Sequence, residues 1–394
     1  MNLQHNQYGN NLAIYIHWPF CESKCPYCDF NSYVTKQVDY ELWQKAYLQQ
    51  IEYFYDTIAG KHITSIFFGG GTPSLMAPKI AASIIEKIAS IAKLDGNTEI
   101  TLEANPSSVE FAKFKDFRQA GINRISLGVQ SIREESLKFL GRKHSAKEAQ
   151  NAMENIGGIF DNWSFDLIYA LPGQSVESWE SELGTALRLA SSNKHISCYQ
   201  LTIEKGTEFA KMYYNNEFAL PIAELATEIY TFTNEFLQNN GYTRYEISNY
   251  AKQGFQSKHN LAYWNYDDYV GIGPGAHGRI SYKNTSDEYK MQAMFAEYKP
   301  DKWLTIADAN ANKKLQLLST DEVSNEILLM GTRLTEGISD QKVKFFCNKD
   351  FATLLDAKQI EYFTKLGFLH YENEILKLSD RGLLVHNYIV PRLF

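Results

Sequence analysis

Nowhere in this 394-residue chain do eighteen uncharged apolar residues run together, so the sequence offers no candidate membrane-spanning helix. The first residues, MNLQHNQYGNN, are polar and lack the basic and apolar blocks of an export signal. A basic excess is missing too: 39 Lys plus Arg stand against 46 Asp plus Glu, a net charge of -7 that gives no support to nucleic-acid or anionic-membrane binding. Cysteine is scarce. Five in a long chain, an odd number, argue against a disulfide framework and for a reducing compartment, by default the cytoplasm. Repeats of solenoid period and low-complexity segments are also lacking. What is left is a cytoplasmic globular protein long enough for two domains.

What is there is concentrated near the start. Cys21, Cys25 and Cys28 fall within eight residues, in IYIHWPFCESKCPYCDF, with the spacing CxxxCxxC. Three thiolates on one short loop can hold three irons of a [4Fe–4S] cluster and leave the fourth iron open. A structural zinc ion would need a fourth ligand, and His17 is the only histidine close by. Glu22, Lys24 and Pro26 make the loop polar and turn-rich, which speaks against a buried, unligated trio. Cys198 and Cys347 read as buried thiols. Aromatic residues reach 14%, with 25 Tyr and 23 Phe. Packed rings explain that share as well as a flat ligand does, and composition does not choose between them.

Short apolar runs rich in β-branched residues alternate with longer amphipathic stretches: LAIYIHW, ITSIFFGGG, TEITLEANP, INRISLGVQ, SFDLIYALPG and HISCYQLTI. Six βα units with strands buried on both faces predict an α/β fold, a partial (β/α)6 TIM-like barrel. S-x-x-E capping boxes at Ser107 with Glu110, Ser145 with Glu148 and Ser319 with Glu322 mark helix starts, and Gly121 follows a helix that begins near Ser108. A helix over 350–365, a hairpin around GFLHYENEILKL and a final helix predict a smaller, helical, winged-helix-like C-terminal domain. From Gln316 onward nine Lys plus Arg face eleven Asp plus Glu, the wrong balance for phosphate contacts, so this module reads as a packing or partner surface. The expected division is a barrel over 1–240, an irregular connecting region over 241–310 and the C-terminal domain over 311–394.

In a barrel of this kind the site lies at the carboxyl ends of the strands. The cysteines follow the first run, GGGTP ends the second, Glu103 the third and Gln130 the fourth, and Asp166 lies within the fifth. An open iron needs a chelating ligand, and these residues suit S-adenosylmethionine, whose amino and carboxylate groups can close a ring on iron. Glycines at 69–71 let backbone approach that amino group closely. Arg142 can pair with a carboxylate, although after Gly141 at a helix end it reads equally well as a solvated cation.

Taken together, the CxxxCxxC loop, GGGTP, TLEANP, SLGVQS, FLGRKHS and FDLIYALPGQ resemble the radical S-adenosylmethionine superfamily. Within it the likeness is to the branch of oxygen-independent coproporphyrinogen III dehydrogenase (HemN) and the haem chaperone HemW, and it covers nearly the whole chain. It implies a radical SAM core with Cys21, Cys25 and Cys28 as cluster ligands and with Tyr15, Tyr27, Gly70, Gly71, Thr72, Glu103, Gln130, Arg142 and Asp166 in cofactor-binding positions. It assigns no catalytic residue.

Phe30 stands where the dehydrogenase carries a fourth cysteine, and only 20 residues precede Cys21 where the dehydrogenase has a longer leading segment. In KHNLAYW, His259, Asn260, Tyr263 and Trp264 match the HNxxYW motif of the chaperone side. A neutral imidazole can ligate haem iron, and Tyr and Trp supply flat apolar surface. Outside this family such a run is more often a packed corner. GIGPGAHG reads as a glycine-rich strand end near the site, because Pro274 interrupts the phosphate-loop pattern, and His277 within it is a second candidate ligand. His17 matches a histidine of both branches and does not discriminate. The resemblance therefore implies a haem chaperone with haem as cargo, recipient haem proteins (respiratory, membrane-associated ones among them) as partners, no nucleic acid, and a homodimer on loading. The alternative is the dehydrogenase, an enzyme in which a 5′-deoxyadenosyl radical abstracts hydrogen from porphyrinogen propionates.

Overall fold

The computed structural model describes residues 9–35, 37–286, 288–305 and 313–394. The reading of the first eight residues and the expected boundary at 310/311 lie outside them. The six apolar runs form β1 (Asn11–Trp18), β2 (His62–Gly70), β3 (Glu99–Ala104), β4 (Arg124–Gln130), β5 (Asn162–Tyr169) and β6 (His195–Gln200). Each pairs in parallel with the next. Between them run helices that include α1 (Tyr40–Tyr53), α2 (Pro78–Ala89) and α3 (Val176–Leu189). Alternate residues of the strands, such as Ile14, Ile16, Ile66, Phe68, Leu102 and Leu127, form one apolar cluster with Trp43 and Tyr47 of α1 and Ile80 and Ile84 of α2. Burying such side chains supplies roughly 1.5–3 kcal/mol each and fixes the helices to one face of the sheet.

The sheet extends beyond the six expected units. After α4 (Ala223–Asn239), β7 (Thr243–Arg244) and β8 (Asn249–Ala251) add antiparallel to the β6 edge. At the other edge β9 (Tyr269–Ile272) lies parallel to β1, followed by antiparallel β10 (His277–Lys283), β11 (Tyr289–Ala296) and β12 (Lys313–Leu317). Among the described residues the result is one open sheet of twelve strands, seven of them in the parallel set. A seventh parallel strand thus comes from the stretch that sequence alone reads as irregular. Its four residues, YVGI, are too short and too glycine-rich to declare themselves.

C-terminal to the sheet come α6 (Thr320–Gly331), α7 (Gln341–Cys347) and α8 (Ala357–Lys365), with a small sheet of β13 (Ile338–Ser339), β14 (Leu369–Glu372) and β15 (Ile375–Leu378). The hairpin turns at Asn373 and Glu374, whose φ values of 52° and 64° are those of a two-residue type I′ turn. The expected helix over 350–365 is broken: Phe351–Leu354 and Ala357–Lys365 are separate, with Asp356 capping the second. Capping boxes form in full at Ser145 and Ser319. At Ser107 only half of one forms, because the Glu110 carboxylate turns to Ser74 and to the backbone and side chain of Asn105 instead. The C-terminal core of Ile327, Val343, Phe363 and Leu376 takes in Met291 and Ala293 of β11, so this region packs on the sheet edge.

Among the described residues no helix is long and apolar enough to cross a membrane.

Candidate cofactor and ligand cavities

The strands look apolar throughout in sequence, yet their alternate side chains line the inner, concave face with polar groups. Arg124, 2% exposed, donates to Thr101 Oγ1 at 3.4 Å and Ser164 Oγ at 2.9 Å and lies 3.9 Å from Glu99. A buried charge of this kind is tolerable only when paired. The seven-residue helix α5 (Lys258–Trp264) closes this inner face from below: the Glu99 carboxylate accepts from the His259 N–H and Ser257 Oγ, both at 3.4 Å. Two cavities open above it, at the carboxyl ends of the strands.

The first, about 470 Å³, is lined by all three cysteines of the loop together with Tyr27, Gly71, Thr72, Glu103, Gln130, Arg142 and Asp166. Thr72 Oγ1 donates to Cys21 Sγ at 3.4 Å, Arg142 donates to Cys25 Sγ at 3.6 Å, and Ser32 Oγ lies 4.0 Å from Cys28 Sγ. None of the three is in a disulfide. Burial pushes the Cys21 and Cys28 thiols up, so taking up a metal cluster here would release protons. Among the described residues no three His, Cys, Asp or Glu side chains are gathered tightly enough for a single ion. Three sulfurs line one cavity wall, each with a hydroxyl or guanidinium partner, a donor set whose chemistry fits an iron–sulfur cluster.

Arg142 is not a solvated cation. Besides Cys25 it donates to Tyr27 OH at 3.3 Å, to Gly128 O at 3.0 Å and to Asn105 Oδ1, which clamps the cysteine loop to the ends of β3 and β4. Burial works against its charge, and Tyr27 and Cys25 more than offset this. Gly141 makes the approach possible: at φ 66°, a Cβ there would meet Pro26 Cδ at 2.5 Å. On the opposite wall, a Cβ on Gly71 would sit 2.7 Å from the Phe20 carbonyl oxygen, so backbone rather than side chain faces the loop. Gln130 ends β4 at φ 66°, a left-handed conformation unusual for a side-chain-bearing residue and found where a site holds it. Glu103 accepts from the Gly70 N–H at 3.2 Å. Burial, and next the neighbouring Asp166, push its carboxyl up to about 8, while burial brings Asp166 to about 6. Two neighbouring buried carboxyls can accept N–H and O–H groups from a ligand that enters between them.

The second cavity, about 430 Å³, shares Glu103 and Phe30 with the first. Its walls are aromatic, with Tyr15, Tyr263, Trp264, Tyr266 and Tyr269, and His17, His277, Arg279 and Glu326 add polar edges. His17 braces the cluster loop here: its Nδ1 lies 3.0 Å from Tyr15 OH and its Nε2 2.9 Å from Asn31 O, while Asn31 Nδ2 donates to Pro274 O at 3.0 Å. Burial lowers the His17 pKa to about 4, so the brace is neutral. Tyr263 and Trp264 of the HNLAYW run face the cavity. His259 does not line it: 2% exposed, it lies with Nδ1 2.9 Å from Ser65 Oγ and Nε2 2.9 Å from Tyr263 OH. The motif is therefore split, its histidine and tyrosine joined by a hydrogen bond and only its aromatic end lining the space. Sequence reasoning passes over Arg279, Glu326 and Asn105. Asn105 had a visible signal in TLEANP, whereas Arg279 and Glu326 meet only through the tertiary fold.

The chain matches the radical SAM superfamily over residues 15–184 and the HemN C-terminal domain over residues 318–385. It is 34% identical over 384 residues to radical S-adenosyl methionine domain-containing protein 1, mitochondrial, of Bos taurus, covering 96% of this chain and 86% of that protein. It is 43% identical over 278 residues to heme chaperone HemW of Haemophilus influenzae, covering 69% of this chain and 71% of that one. In structure it is similar to coproporphyrinogen III oxidase (HemN) from Escherichia coli, with a TM-score of 0.80 at 20% identity over 98% of this chain and 91% of that one, a likeness of fold. The chain belongs to the radical SAM superfamily, in the branch that unites HemN and the HemW haem chaperones.

Proposed function

We propose that this protein is a haem chaperone: it holds a [4Fe–4S] cluster on Cys21, Cys25 and Cys28, binds S-adenosylmethionine beside it, carries haem, and passes it to recipient haem proteins. The observation that carries the reading is the pair of adjoining cavities. One is polar, with three sulfurs at its wall. Its neighbour is aromatic, of a kind that suits a flat macrocycle with a few polar edges. The cluster, when present, would supply an iron open to the amino and carboxylate groups of S-adenosylmethionine. The chain's own part is to receive them: Glu103 and Asp166 for the N–H groups of the amine and for hydroxyls, Arg142 and the backbone around Gly70 and Gly71 to hold the cofactor against the loop.

Phe30 favours the chaperone over coproporphyrinogen III dehydrogenase. It stands where the dehydrogenase has a cysteine, is 59% exposed, and lies between the two cavities. The HemW relatives, at about 40% identity, support the same side. We place the protein in a reducing compartment, and recipients and a loaded dimer belong to this proposal as well. The test is anaerobic titration of the reconstituted protein with haem. Saturable binding of one haem per chain at about 1 µM or tighter is expected. No complex at micromolar protein overturns the reading.

A further inference from the structure

Two histidines stand near the aromatic cavity, and the fold treats them in opposite ways. Both ring nitrogens of His259 are engaged, by Ser65 and Tyr263, and its ring stacks on Phe67 with centroids 4.8 Å apart. To reach an iron it would have to leave a stack and break a buried hydrogen bond, leaving a buried partner unsatisfied. His277, the first residue of β10, is exposed and lines the cavity, and its side chain makes no hydrogen bond among the described residues; its ring rests edge-on against Phe295, centroids 4.9 Å apart. Partial burial and the nearby Arg279 lower its pKa, which keeps a lone pair available at neutral pH.

Two residues on, Arg279 is on the same face of the strand. Its guanidinium lies over the same Phe295 ring at 5.7 Å and holds Glu326 of α6 through two bonds, Nε to Oε2 at 2.9 Å and Nη2 to Oε1 at 2.8 Å. Tyr266 OH donates to the same carboxylate at 2.6 Å. This is a complete two-pronged carboxylate grip facing an aromatic slot, satisfied by a side chain from the far C-terminal region. A carboxylate on an incoming ligand has the same chemistry as Glu326 and can take its place.

The geometry assigns His277 as the nitrogen ligand of an iron porphyrin in this cavity, and Arg279 as the partner of a porphyrin carboxylate that displaces Glu326. This rests on the haem-carrying reading above and specifies its site. The step is ligand exchange with no change of oxidation state: ferric iron gives up a water for an imidazole nitrogen, and Arg279 gives up one carboxylate for another.

The test uses the reconstituted full chain with ferric haem and with ferric haem dimethyl ester, read by absorption and electron paramagnetic resonance. His277→Ala is expected to lose the nitrogen-ligated signature and to bind ferric haem tenfold or more weakly, while His277→Met restores axial ligation with a thioether signature. Glu326→Gln frees Arg279 and is expected to tighten ferric haem threefold or more without changing the ester. His277→Ala with the parental spectrum overturns the ligand assignment, as does loss of nitrogen ligation in His259→Ala alone. An equal effect of Glu326→Gln on acid and ester overturns the carboxylate exchange. A parent chain that takes up no haem defeats the chaperone reading itself, an outcome distinct from these.

Discussion

The two cavities meet at Glu103 and Phe30 but are built in different ways. The cluster-side cavity is made from the ends of successive parallel strands and one loop, so its walls belong to the most deeply hydrogen-bonded part of the fold. The aromatic cavity is assembled from β1, α5, the β9–β10 turn and α6, elements distant in sequence and joined by a few polar contacts such as Arg279 with Glu326. A wall of strand ends is suited to hold a cofactor that stays. A wall closed by an exchangeable ion pair is suited to admit a ligand that leaves.

The largest effect that would test this contrast comes from the loop. Replacing Cys21, Cys25 and Cys28 together by Ala is expected to abolish iron and sulfide incorporation, while a chain that remains folded keeps haem binding within about threefold. Iron, sulfide and haem assays on one preparation decide it. Loss of both ligands together would mean that the cavities are a single site.

Arg142→Lys should be next. One ammonium cannot replace the guanidinium contacts to Cys25, Tyr27, Asn105 and Gly128, so S-adenosylmethionine affinity is expected to fall tenfold or more, about 1.4 kcal/mol, by calorimetry under anaerobic conditions. Haem affinity should be unchanged.

Glu103 gives a pH signature. Its carboxyl is raised to about 8 in the fold, against about 4.3 in an unfolded chain. Between those values the folded state keeps a proton that the unfolded state has lost, so stability is fullest at low pH and declines as pH rises through 8. Urea unfolding of the cluster-free chain should show a loss on the order of 1–3 kcal/mol from pH 5.5 to 8.5, and Glu103→Gln should remove most of it. Because an amine held on iron donates its N–H groups to an ionised carboxylate, S-adenosylmethionine should bind the parent more tightly as pH rises over the same range.

The smallest expected effect is at Ser145, whose side chain caps its helix in a full box with Glu148. Ser145→Ala should cost about 1 kcal/mol in thermal or urea unfolding and change neither ligand.

The same contrast governs how much could be read in the sequence. The cluster loop is contiguous, and Glu103, Gln130 and Asp166 sit on strands whose apolar runs mark them plainly, so that side of the molecule was legible. The resemblance supplied Arg142, which sequence alone left equally open to solvent; only the fold shows it threaded between Cys25 and Asn105. Reading the strands as apolar on both faces hid the inner polar row of Arg124, Ser164 and His195, since the alternation is interrupted by small residues that fit either face. In the aromatic cavity the sequence marked Tyr263, Trp264 and His277 for a flat ligand, while Tyr15 and Gly70, expected in cofactor positions, line this cavity and not the one with the cysteines. The resemblance, through the HNxxYW motif, is what singled out His259; the fold adds that it is buried, bonded to Ser65 and to Tyr263 four residues on, so it does not itself line the cavity. Glu326 carried no signal, because its meaning depends on Arg279, 47 residues away.

The central claim is that two ligands occupy neighbouring spaces at one barrel mouth, and co-occupancy measures it directly. Reconstituted protein saturated with S-adenosylmethionine should still take up one haem per chain, with the cofactor retained after gel filtration. Release of S-adenosylmethionine in step with haem uptake, one for one, would contradict it.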